Sequence, residues 1–182
     1  MKTLPVTRIS SKDSRMSYWI SPSPVGRLLL VGSPDGLQNL QFQDGARPLD
    51  IQPTWTKARE PFRAVLKQLK EYFDGSRTRF QITLNLQGTP FQHHVWKALQ
   101  RIPYGRTVSY GEIARQVGNP KASRAVGAAN GQNPISIIVP CHRVIGANGH
   151  LVGYGGGLPI KTALLKLEHP KTGKKRSSVI CS

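Results

Sequence analysis

Acidic residues are scarce: nine, against 26 lysines and arginines, so the 182-residue chain carries a formal net charge of +17. So large a surplus concentrates positive potential and favours a polyanionic partner. Nucleic acid is the commonest such partner, with an acidic membrane surface or the ribosome as rivals. Cysteine is scarcer still, with only Cys141 and Cys181. Two cysteines exclude a disulfide framework. Cys181 sits in the basic stretch KTGKKRSSVICS, one place from the end, whereas a prenylation box needs its cysteine fourth from the end. Any thiol chemistry therefore falls to Cys141. No apolar run is long enough to cross a bilayer. The opening MKTLPVTRISSKDSR has no apolar core of the signal-peptide type, so an intracellular protein is expected. Internal repeats are absent. An apolar content of 38% supports a real core, in one large or two small domains.

Residues 1–17 read as a flexible basic arm, 18–87 as a small N-terminal α/β domain, 88–169 as a second domain and 170–182 as a disordered basic tail. GRLLLVGSPDGLQNLQFQ places two apolar runs around Ser33-Pro34-Asp35-Gly36, a hairpin signal. PFRAVLKQLKEYFDG sets Phe62, Val65, Leu66, Leu69, Tyr72 and Phe73 on one helical face, with Gly75 as its stop. RFQITLNL alternates apolar and polar residues and predicts a half-buried strand. Past Gly88, Thr89-Pro90-Phe91-Gln92 and Ser109-Tyr110-Gly111-Glu112 are capping boxes that open helices. The adjacent His93 and His94 point about 100° apart on a helix, which makes them poor joint metal ligands. SYGEIARQVG, the break at Gly118-Asn119-Pro120 and the small-residue helix KASRAVGAANG form a helix-turn-helix pattern; a plain helical hairpin fits it equally well. ISIIVP predicts a short apolar strand, and IKTALLKLE a last amphipathic helix ending on Glu168. The fold class expected is α+β: a small N-terminal sheet-and-helix domain, then a mainly helical, winged-helix-like domain.

Pro140 would end the ISIIVP strand and leave Cys141 at an accessible strand terminus. A free thiol is only a few per cent thiolate at neutral pH, so reaction requires a base or cation nearby. His142 and Arg143 are the nearest candidates. Neighbours on an extended segment diverge, so a tight turn or a bridging water is needed. A histidine base also requires a carboxylate to fix its tautomer, and Glu168 is a candidate among few acids. GYGGGLPIKT is not a phosphate loop, because Ile160 stands where the motif needs glycine before Lys161-Thr162. Nor does it fit GxGxxG, since Leu158 takes the last glycine place. It reads as a pliable loop whose amides face a bound ring.

NPKASRAVGAANGQNPISIIVPCHRVIGANG, with GYGGG and LLKLE downstream, resembles the O6-alkylguanine-DNA alkyltransferases, also called methylated-DNA–protein-cysteine methyltransferases. The match is strong over residues 88–169 and closest to the bacterial constitutive form. The resemblance implies DNA repair by one irreversible transfer of the alkyl group from O6-alkylguanine, and O4-alkylthymine, after the nucleotide is flipped out. It implies Cys141 as nucleophile and final acceptor, His142 as base through a water, Glu168 orienting the histidine, and Asn133 holding the turn. Tyr110 would bond a ring nitrogen of the base, and the Cys141 and Val144 carbonyls would read its exocyclic amine. The Gly155 amide would contact O6, and Tyr154 would wall the pocket. The helix bearing Arg124 would enter the minor groove, Arg124 filling the gap left by the flipped nucleotide, with Asn119, Ala125, Gly127 and Ala128 also against DNA.

The resemblance further implies a stoichiometric reagent without cofactor, acting on double-stranded DNA without a membrane or an obligate protein partner. A monomer is expected, with cooperativity on DNA left open. The place implied is the bacterial cytoplasm beside the nucleoid, or the nucleus of a eukaryote. Some relatives hold a structural zinc through N-terminal cysteines; the first 140 residues here contain none, so no metal is expected. Glycine at 155, where some relatives carry serine, predicts tolerance of adducts bulkier than methyl. The rivals are a helix-turn-helix regulator with a structural thiol, a non-catalytic lesion binder, which would lack the cysteine, and a cysteine hydrolase.

Overall fold

A computed structural model describes residues 16–45 and 48–169. The first half is built on a four-stranded sheet in the order β3-β2-β1-β4: β1 (Ser17–Ser21), β2 (Leu28–Ser33), β3 (Gly36–Phe42) and β4 (Thr56–Lys57). β2 pairs antiparallel with both neighbours, and β1 pairs parallel with the short β4. The unbroken run LLLV of β2 is explained by burial on both faces. Leu28 and Leu30 enter the main core, while Leu29 and Val31 enter a second cluster with Met16. The expected arm therefore stops short of 17: Met16 is buried and Ser17 begins β1. Residues 1–15 and the 170–182 tail with Cys181 lie outside the described residues.

The expected hairpin turn forms at Pro34–Asp35. Gly36 is required there twice over: its φ is +132°, and a Cβ would stand 2.7 Å from the Thr83 carbonyl. RFQITLNL does not become a strand. It runs extended beside β3, bridged only at Leu37–Leu84, with Leu37 N–H donating to the Thr83 carbonyl at 3.0 Å and Asn85 N–H to the Leu37 carbonyl at 2.8 Å. Its alternation buries one side, but too few ladder bonds form for a strand. Helix α1 (Arg63–Phe73) packs Val65, Leu69 and Tyr72 inward and ends before Gly75, whose φ is +75°.

The second half holds α2 (Pro90–Leu99), β5 (Val108–Ser109), α3 (Tyr110–Gln116), α4 (Ser123–Gly131), β6 (Val144–Ile145) and α5 (Leu158–Glu168). Both capping boxes are complete: Thr89 with Gln92, and Ser109 with Glu112. β5 and β6 pair parallel. The fold is thus α+β, with α3 and α4 as a helix-turn-helix. One core joins both halves, with Leu30, Leu40 and Phe42 in the same cluster as Val95, Trp96, Leu99 and Leu164. His93 and His94 are exposed. Among the described residues no helix is long and apolar enough to cross a membrane.

ISIIVP is not a strand either. Only Ile135 bridges to β3, at Leu40. Beyond it the chain makes two successive γ-turns: Ile138 N–H donates to the Ser136 carbonyl at 2.8 Å, and Cys141 N–H to the Val139 carbonyl at 2.8 Å. Ile137 lies at φ +71°, the sole non-glycine residue with positive φ among those described. A β-branched residue there costs of the order of 1–3 kcal/mol, so surrounding bonds must over-determine it. Asn133 supplies them. Its amide donates to the Val139 carbonyl at 2.8 Å and its carbonyl accepts from Ile135 N–H at 3.0 Å. β3 braces the segment from outside through Leu40 N–H to the Pro134 carbonyl and Ser136 N–H to the Leu40 carbonyl, both 2.9 Å.

Candidate active site

The γ-turns deliver Cys141 into a single turn of 3-10 helix, Cys141–Arg143. The accessible strand end expected for the thiol is absent: Cys141 is only 4% exposed. The turn brings His142 and Arg143, though not the thiol itself, onto the same carboxylate, Glu168. Cys141 lines a cavity of about 170 Å³ with Asn133, Ser136 and Gly155. A second cavity, about 320 Å³, is lined by Tyr110, Gly127, Tyr154 and Gly155. The two share Asn130, Gly131 and Gly155, so the thiol and the two tyrosines flank a common cleft beside α4.

Behind the thiol lies a fully packed ionic cluster. Glu168, 2% exposed at the end of α5, accepts at Oε1 from Tyr72 Oη (2.7 Å), His142 Nε2 (2.8 Å) and Arg143 Nη2 (2.8 Å). Its Oε2 accepts from Arg143 Nε at 2.7 Å and Gly105 N–H at 3.3 Å. Burial alone would push this carboxyl up; the hydrogen bonds from His142 and Arg143 outweigh it and hold Glu168 well below the usual carboxylate range. An ionised carboxylate only accepts, so His142 carries its proton on Nε2. Its Nδ1 is then a lone-pair acceptor, buried and without a hydrogen-bond partner among the described residues. Burial lowers the His142 pKa, opposed by Glu168, so the ring is neutral near pH 7. Burial also raises the Cys141 pKa, opposed by the Asn133 side chain and by Lys161. Both groups are therefore neutral at rest: a buried thiol and an imidazole held in one tautomer by Glu168.

Sequence reasoning misses Lys161 and Tyr72, and it gives Arg143 only as a cation near the thiol. Lys161 is fully buried on α5 and donates to the Val144 carbonyl at 2.7 Å and the Val152 carbonyl at 2.8 Å. The Val144 carbonyl, expected to read a base amine, thus has one lone pair already engaged. Spacing holds the signal: Lys161, Leu164 and Glu168 share one helical face, and that face is the buried side of α5. A charge on a buried stripe marks a paired group. For Tyr72 the signal is a hydroxyl on the apolar stripe of α1.

Tyr154 stacks obliquely on Phe42 at 5.7 Å and edge-on to His142 at 6.5 Å, its hydroxyl buried near Ser136. A Cβ at Gly155 would meet nothing within 4 Å, while one at Gly127 would touch the Tyr110 ring at 3.8 Å. Tyr110 opens α3 and stays protonated, its pKa raised by burial and by Cys141. On α4, Val126 and Ala129 face the core and Arg124, Ala125 and Ala128 face solvent, with Asn119 exposed in the preceding turn. The indole of Trp96 fixes the helix by donating to the Ala129 carbonyl at 2.9 Å.

Comparison with known proteins points one way. Residues 90–170 match the DNA-binding domain model of 6-O-methylguanine DNA methyltransferase, and residues 16–86 match its ribonuclease-like domain model. The methylated-DNA–protein-cysteine methyltransferase of Methanosarcina acetivorans is 54% identical over 153 residues, covering 84% of this chain and 98% of that one. The crystal structure of the Mycobacterium tuberculosis O6-methylguanine methyltransferase superposes with a TM-score of 0.80 at 50% identity, covering 88% of this chain and 96% of that one. The Mycobacterium tuberculosis protein solved in complex with DNA gives 0.79 at 52% identity, over 84% and 92% of the two chains. With models over both halves and a relative more than half identical along most of its length, the chain belongs to the 6-O-methylguanine DNA methyltransferase family.

Proposed function

We propose that this chain repairs alkylated duplex DNA by moving the alkyl group from guanine O6 onto Cys141. The observation that carries the reading is the bare, buried Nδ1 of His142 on the turn that holds the thiol, with its tautomer fixed by an ionised Glu168. Cys141 Sγ attacks the alkyl carbon and the C–O6 bond breaks, its electron pair passing to the guanine. The thiol proton passes through a water to His142 Nδ1, and Tyr110 donates to a ring nitrogen as charge develops on the base. The Cys141 and Val144 carbonyls, the Gly155 amide and the Tyr154 ring hold the base, and Asn133 keeps the turn. A thioether is a poor leaving group, so each molecule reacts once.

A stacked guanine does not present O6 in line to a buried thiol, so the nucleotide must be extruded at a cost of a few kcal/mol. The exposed face of α4 suits the narrow minor groove. Arg124 fills the vacated stack, and Asn119, Ala125, Gly127 and Ala128 lie along the backbone. The charge of +17 supplies sequence-independent affinity with marked salt dependence. One chain carries every group named, so a monomer suffices, and its place is wherever the DNA is: bacterial cytoplasm or eukaryotic nucleus. The test is to weigh the intact protein after incubation with duplex containing O6-methylguanine. We expect a gain of one methylene, on the peptide holding Cys141, and one event per molecule. Lesion loss with unmodified protein would overturn the reading; unmodified protein that still binds DNA would favour a regulator or lesion binder.

A further inference from the structure

We propose that Tyr72, on α1, is a positioning residue for alkyl transfer, through which the N-terminal half of the chain sets the proton affinity of His142. The proposal rests on the alkyl-transfer reading above. Its ground is geometric. Among the described residues Glu168 accepts five bonds; four come from residues 105–143, and only the Tyr72 hydroxyl comes from the N-terminal half. That hydroxyl reaches Oε1, the same oxygen that holds His142 Nε2. The ring is fully buried and caged by aromatic edges, with Phe73 at 5.3 Å, Phe80 at 5.4 Å and Tyr104 at 6.1 Å. Packing alone would be served by phenylalanine, which avoids burying a hydroxyl. The hydroxyl is explained by its acceptor.

Each donor to Oε1 disperses the negative charge that draws a proton toward His142. Removing the Tyr72 donor leaves that charge to His142 and Arg143. The imidazolium form then becomes easier to reach, and Nδ1 is lost as an acceptor at a higher pH. The other groups facing this carboxylate and imidazole are Arg143 from the reactive turn, Tyr104 from the connection after α2, Lys161 from α5 and Tyr154 from the glycine loop, which itself faces Cys141. None changes in a Tyr72→Phe variant.

The experiment follows the single-turnover rate of alkyl uptake by the Cys141 peptide from pH 5 to 8.5, on duplex carrying O6-methylguanine. In Tyr72→Phe the acid limb should move up by roughly one unit. The rate should fall about ten-fold near the wild-type limb and converge with wild type at high pH. Fluorotyrosine at position 72, a stronger donor of nearly the same shape, should move the limb down, and it keeps the test open if the phenylalanine variant folds poorly. Tyr104→Phe removes a neighbouring hydroxyl that donates to the Leu167 carbonyl at 3.1 Å and should leave the limb in place. A Tyr72→Phe protein with a lower melting temperature but a wild-type profile would reduce Tyr72 to packing, as would equal shifts from both phenylalanine variants. If wild type itself takes up no methyl, the underlying reading fails instead.

Discussion

The cluster behind Cys141 and the exposed face of α4 are built on opposite principles. Around Glu168 nearly every polar atom is buried and paired, with bonds mostly of 2.7–2.8 Å. The α4 face has almost no side chain, only alanines, glycines and the free reach of Arg124. The first region fixes one proton and one lone pair in place, which requires rigidity and a low local dielectric. The second, which we propose lies in the groove of DNA, has to follow any sequence, and that requires smoothness. On the proposed reading function divides accordingly: chemistry where substitution breaks a network, and recognition where substitution only alters a surface.

The sharpest way to break the comparison is Cys141→Ala, which should abolish alkyl uptake while DNA affinity, read by gel shift, stays within about two-fold of wild type, as expected for a buried truncation that leaves the exposed face of α4 unchanged. Loss of both would mean that the two regions are not separable. Glu168→Gln comes next. It leaves Arg143 buried without its carboxylate, so we expect about 3 kcal/mol lower stability in denaturant melts. Alkyl uptake should slow by about 10²-fold or more. Third, Arg124→Ala should cut repair of duplex by roughly ten-fold yet spare reaction with a free O6-alkylguanine base. Equal loss on both substrates would remove the wedge role. The smallest effect is expected from Gly155→Ser. Open space at this Cβ position should accept the hydroxymethyl with little change for O6-methylguanine and a several-fold loss for O6-benzylguanine, a roughly methylene-scale discrimination.

Acid pH tests the cluster alone. The His142 pKa is lowered in the folded protein and the Glu168 pKa is held well below its usual range. For both groups the stabilisation is present above the unfolded pKa, about 6.5 for histidine and 4.3 for glutamate, and is lost as pH falls through the folded one. Alkyl uptake should therefore persist below about pH 6.5, with its acid limb under that of an ordinary histidine. A limb at or above that value would mean that burial does not govern this ring.

Much of the site is legible in the sequence. The PCHRV core, SRAVGAAN and the distant Glu168 supply the thiol, base and orienting acid of the proposed function, and the two capping boxes place α2 and α3. The expected strands at RFQITLNL and ISIIVP fail for one reason. Alternating or continuous apolar residues report which side is buried, not whether ladder bonds are made. At ISIIVP a polar bracket from Asn133 and a strained Ile137 replace the ladder. Lys161 and Tyr72 escape notice because each lies in an apolar stripe for which a core role is the simpler reading.

By itself the sequence determined the basic character, the capped starts of α2 and α3 and the family, and it singled out Cys141 as the candidate thiol, because these depend on residue types at short spacing. Tertiary structure alone decided that residues 72, 105, 142, 143 and 168 share one carboxylate, that Cys141 is buried rather than displayed, and that Lys161 ties Val144 to Val152. Those facts join positions up to 96 residues apart. Chain connectivity cannot encode such meetings locally; they arise only when both halves bury their apolar faces in one core.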